Sequence, residues 1–138
     1  MKPHLLLMMA VGLLLAAHAK ADAPKNEMKE LEGTWKLIAI GDREAVRDAA
    51  DVLVFQGNQY SHTVNSEVWG MGTYRIDPSK GPKTLDLLPM MGRTRAGIYE
   101  VDSDTLRVCF RDLAPGRPAA LTTQSPDQVV LVYKRLMP

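Results

Sequence analysis

Short apolar segments with a period of two recur about every ten residues from Trp35 to the C-terminus, each cut by a cluster of Gly, Pro, Asn, Asp or Ser. Side chains of a strand alternate between faces, so segments of this kind bury one face and wet the other. Gly33 to Ala39 is the first, with Trp35, Leu37 and Ala39 on one face and Thr34 and Lys36 on the other. Val52 to Phe55, Tyr60 to Val64, Met71 to Ile76, Lys83 to Leu88, Thr94 to Val101, Thr105 to Arg111 and Val129 to Arg135 follow, and Ala119 to Thr123 is a shorter extended piece. Helix is expected only as one turn at Lys25 to Glu32 and in the Ala-rich stretch Glu44 to Asp51. Strands joined by short turns, without a repeat and without crossover helices, form an antiparallel meander. About eight of them favour an up-and-down β-barrel, because closure removes the two edges that a small open sheet exposes.

Residues 1–21 have the makeup of a signal peptide: Lys2, an apolar run from Leu5 to Ala17, and small residues at Ala17, Ala19 and Ala21. Cleavage is expected near Ala19 or Ala21, giving an exported protein, periplasmic or secreted. The run is shorter than the roughly 20 residues that span a bilayer. No cysteine stands at the cleavage site to carry a lipid anchor, since Cys109 is the only cysteine. Residues 22–30 form a polar leader and 31–138 the barrel domain. Removal of Lys2 and Lys20 leaves 15 basic against 16 acidic residues, a net charge of −1. Such a balance gives no general attraction to nucleic acid or an anionic membrane. A single cysteine leaves the fold to hydrophobic packing, with Cys109 as a thiol on a strand.

Gly33-Thr34-Trp35, after a helical turn, resembles the Gly-x-Trp signature of the lipocalin and calycin superfamily. The resemblance implies a basic residue late in the last strand packing over Trp35. Arg135 is chosen for this role over Lys134, being in phase with Val129, Leu131 and Tyr133. "LEGTWKLIAI", "GTYRIDPSKGPKTLDLL", "GIYEVDSDTLRVCF", "GRP" and the terminal "YKR" resemble, in order, a lipocalin-like family of uncharacterised exported bacterial proteins best known from planctomycetes. What this implies is a fold and the structural signature Gly33, Trp35 and Arg135.

Chemical motifs are sparse. Asp77 to Lys83 has Ser, Gly and Lys but neither the spacing nor the following helix of a phosphate loop, and its two prolines make it a turn. His62, the one histidine after residue 21, neighbours Ser61, and alternation places the two on opposite faces of a strand. One histidine and one cysteine fall short of a transition-metal site. Asp102-Ser103-Asp104 lacks the remaining ligands of a calcium loop and reads as a hairpin. Glu100 and Asp86 read as surface charges. No cofactor is expected, and no catalysis.

In a meander, connections alternate between the two ends. One end gathers the tight polar turns at 56–59, 77–82 and 102–104 near Trp35. The other gathers 41–51, 65–70, 89–93 and 112–118, and with them Trp69, Met71, Leu88, Met90, Met91 and Leu113. These large apolar residues either plug the barrel and extend its core or line a mouth; flexible, polarizable methionines suit an irregular apolar ligand. We expect a ligand-binding mouth for a small apolar or amphipathic molecule. The alternative is a contact surface for a protein, such as an exported enzyme to be inhibited. An even strand count is required; a full strand at Ala119 to Thr123 would carry Arg135 away from Trp35.

Overall fold

A computed structural model describes residues 25–45, 50–111, 115–123 and 126–136. Residues 1–24, which include the expected signal peptide, and Leu113 lie outside the described residues. The elements are a helix α1 (residues 25–31) and strands β1 (Gly33–Ile40), β2 (Arg43–Glu44), β3 (Asp51–Gln56), β4 (Gln59–Val64), β5 (Glu67–Asp77), β6 (Lys83–Pro89), β7 (Arg95–Asp102), β8 (Thr105–Arg111) and β9 (Gln128–Arg135). Each strand from β3 to β9 pairs antiparallel with the next, β1 pairs with β3, and β9 returns to β1. The result is a closed eight-strand barrel of β1 and β3–β9, with β2 as a short flap on the upper half of β1. Residues 119–123 make no strand, so the count of staves is even and Trp35 stands opposite Arg135 in the β1–β9 register.

Three expectations need correction. The stretch 44–51 is not a helix at its described ends: Glu44 belongs to β2 and Asp51 to β3, while residues 46–49 lie outside the described residues. The connection expected over 65–70 shrinks to Asn65-Ser66, both at positive φ, because β5 begins at Glu67. A register shift in β4–β5 between His62 and Thr63 leaves Trp69 as the extra residue of a bulge, so Trp69 is a strand residue at the rim. A second bulge between Leu37 and Ala39 breaks the simple alternation of β1 and brings Ile40, in place of Ala39, to the lumen.

The lower barrel is filled. Leu31, Trp35, Phe55, Tyr74, Tyr99 and Leu106 are almost wholly buried there; burial of each such side chain contributes about 1.5–3 kcal/mol. Helix α1 closes this end like a stopper. The Trp35 indole N–H donates to Leu31 O at 2.8 Å, and Gly57 N–H donates to the Glu32 carboxylate at 3.1 Å. Lys83 and the Tyr99 hydroxyl both donate to Glu27. The Arg135 guanidinium lies 4.1 Å from the Trp35 ring and donates to Glu32 O and Glu30 O, both at 2.6 Å. The turn at 77–82 is held by Asp77, which accepts from Ser79 N–H at 3.0 Å and from the Ser79 hydroxyl.

Residues 115–123 of the β8–β9 connection lie against the outside of the barrel. Ile98, Cys109 and Val130, on the outward faces of β7, β8 and β9, are buried under it together with Leu121. Arg117 clamps this strap, donating to Gly97 O at 2.7 Å and standing 2.8 Å from the Asp86 carboxylate. Gln128 donates to Ala120 O and Thr122 O, and Arg111 pairs with Asp127. The buried outward face of β7–β9 contains Cys109, which period-two logic placed opposite the core.

Candidate functional site

Above the stopper the barrel is hollow. A cavity of about 330 Å³ opens at the end opposite α1, at the lower bound of the roughly 300–1,000 Å³ of small-molecule sites. Its floor and walls are Leu37, Leu53, Leu85, Leu87, Val108 and Phe110. These project inward because they occupy every second position of β1, β3, β6 and β8. Gly97 lets the Phe110 ring lie flat over β7: a Cβ there would meet the ring at 2.6 Å.

A polar belt sits above this floor. His62 Nε2 and Asp51 Oδ1 are 2.8 Å apart, from β4 and β3, with both side chains partly buried. Tyr60 and Tyr133 face the same space. Burial raises the Tyr60 hydroxyl above its ordinary value, with Arg95 pulling the other way. Burial and then the Asp51 carboxylate push Tyr133 up, again against Arg95. Both phenols are therefore neutral donors near pH 7. The Arg95 guanidinium stacks over the Phe110 ring at 4.1 Å, and Arg93 is beside it on the lining. Among the described residues no group of three or more His, Cys, Asp or Glu is disposed to hold a metal ion.

The expected mouth residues separate. Trp69 and Met91 line the cavity at the rim, 68% and 90% exposed. Met71 and Leu88 lie at outward positions of β5 and β6, Thr73 pairing with Leu88, and neither lines the lumen. Met90 is 76% exposed beside them, its N–H donating to Met71 O. Val68 extends this outer apolar ridge. The reason is register: the bulge at Trp69 and the pairing of Gly72 with Pro89 put Gly70 and Pro89 on the inner wall and Met71 and Leu88 on the outer. Sequence reasoning missed Asp51, Tyr60, Arg93, Arg95 and Tyr133 as lining. Alternation alone would have found Tyr60 and His62 together on the inward face of β4, and Tyr133 in phase with Arg135.

Gly33, Trp35 and Arg135 belong to the closed end and touch no part of the cavity. Ser61 and His62 fall on opposite faces, Ser61 pairing with Met71 and His62 with Gly70. Glu100 and Asp86 take separate partners, Arg107 for the first, Arg75 and Arg117 for the second. Comparison with family models, curated proteins and solved structures returns no match for the chain.

Proposed function

We propose that the chain is an exported, non-catalytic binding protein whose open barrel end receives one small apolar or amphipathic molecule. The observation that carries this reading is the half-filled barrel: an aromatic plug below and an apolar-floored space of about 330 Å³ above it, open on one side only. A chain selected only to pack would extend the plug upward, since an empty apolar volume of this size forfeits dispersion contacts on every wall. Export rests on residues 1–21, and membership of the lipocalin-like family rests on Gly33, Trp35 and Arg135 with their shared packing. Native mass spectrometry of protein purified from its own host is expected to reveal a retained small-molecule mass.

The second reading, a protein-binding module, is favoured by the ridge of Val68, Trp69, Met71, Met90 and Met91, which leaves large apolar side chains in water on one side of the rim. In the same spectra a co-purified polypeptide without a small molecule would favour it over the first.

A further inference from the structure

One side of the open rim carries an apolar surface that neither the plug nor the floor of the lumen uses. Hairpin β4–β5 projects beyond the end of β6: β5 pairs with β6 from Gly72 downward, with one further bond from Met90 N–H to Met71 O. Among the described residues, 67–70 therefore have a neighbouring strand on the β4 side only. On this tip and the turn beside it, Val68, Trp69, Met71, Met90 and Met91 are 49–90% exposed. At roughly 200 Å² for a large side chain fully open to water, the five present about 700 Å². A specific dimer takes about 600–1,000 Å² from each copy, so the ridge has the area such a contact needs. We propose that the ridge is a self-association surface, on which a second copy of this chain docks about a twofold axis with its own β5 tip and Met90-Met91 turn.

The inference rests on the protein-contact reading of the ridge and names the partner. A lipid surface, an unlike protein and a like one all suit an apolar rim. A bilayer accepts the side chains, but the open main-chain edge at 67–70 carries N–H and C=O groups that hydrocarbon does not satisfy. An identical edge brought alongside antiparallel offers those groups partners. Composition separates like from unlike: residues 68–74 and 87–92 contain no charge. Two copies thus meet without like charges facing, and the surface holds no ion pair by which to select a charged partner. In the antiparallel twofold arrangement the flanking acids, Glu67 of each copy, fall at opposite ends of the paired segment. A twofold contact also closes at two copies, which keeps an exposed apolar edge from propagating.

Sedimentation velocity of protein purified from its own host tests this. A monomer–dimer equilibrium with a dissociation constant on the order of 10 μM is expected. M90E puts a charge on the ridge at a residue outside the lumen lining and should weaken the dimer at least about tenfold. M71E, checked for folding by circular dichroism, should do the same, whereas Q59E, which adds the same charge at the closed end of β4, leaves the equilibrium unaltered. A dimer that M90E and M71E both leave intact forms through another face and overturns the assignment. A monomer at about 200 μM that carries a polypeptide of different mass in native mass spectrometry overturns self-association and leaves the protein-contact reading standing. A monomer with no such polypeptide overturns both. So does a monomer that floats with phosphatidylcholine vesicles and loses this in M90E, since the ridge then belongs to lipid.

Discussion

Gly33, Trp35 and Arg135 show what single residues do here. Gly33 sits at φ +128°, and a Cβ at that position would stand 3.0 Å from Arg135 Nη1. The absent side chain is what lets the guanidinium lie across Trp35 and reach the carbonyls of residues 30 and 32. The three act as one unit, so W35F and R135Q should be non-additive: we expect a coupling of about 1 kcal/mol in a double-mutant cycle read by denaturant unfolding. Additive losses would mean that the stack is incidental. Tyrosines set the alkaline limit. Burial, then the Glu32 charge, pushes Tyr74 up to about 12 from 10, and burial raises Tyr99 and Tyr133 too. A folded-state value above the unfolded one means the contribution is complete below pH 10 and is lost as pH rises from there towards 12. Unfolding followed by circular dichroism should therefore accompany phenolate absorbance in that window. Phenolates appearing at pH 10 with the fold intact would contradict it.

At the scale of elements, most strands were legible because they bury one face only. Thr105 to Arg111 is the clearest, with Leu106, Val108 and Phe110 inward and the strand bounded as expected. The failures have a common cause. Bulges in β1 and β5 shift the phase, and no residue in the sequence marks an inserted position in a strand. Residues 112–118 read as a rim connection because Pro and Gly break the pattern, and 119–123 as a short extended piece. Leu121 of that piece joins no strand and instead covers a second small core on the outside of the barrel, where Arg117 fixes the segment. Cys109 reports on this strap. Its thiol, wholly buried beneath Leu121, should react with an aromatic disulfide reagent only when the strap lifts. L121A should speed that reaction several-fold without unfolding the barrel, since truncating one partly buried leucine costs about 2 kcal/mol or less when the site can collapse. Equal rates in the two proteins would show that Cys109 is reached by another route.

For the whole molecule, the decisive feature is that the barrel is filled at one end and hollow at the other. Gly70 offers a direct way to alter this. It lies on the inner wall, and a Cβ there would meet only Tyr60 Oη, at 3.9 Å, whereas one at Gly72 or Gly97 would strike a neighbour below 3 Å. G70L should thus fill the lumen while keeping the fold. We expect thermal stability equal to or above that of the unaltered protein, together with loss of the small-molecule mass that the unaltered protein is expected to retain in native mass spectrometry. Retained binding in a folded G70L protein would place the ligand outside the lumen.

The sequence by itself determined the class of fold, the antiparallel order of staves, the end at which α1 and Trp35 meet, and the choice of Arg135 as the partner of Trp35. All of these follow from local alternation, turn chemistry and a short signature. Only the tertiary structure decided which rim residues face inward, that Asp51 meets His62 across two strands, and that Arg95, Tyr60 and Tyr133 line one cavity. Alternation says that a strand has two faces. The bulges that set phase, the strap that turns an outer face into core, and the depth to which a barrel fills depend on contacts between residues far apart in the chain.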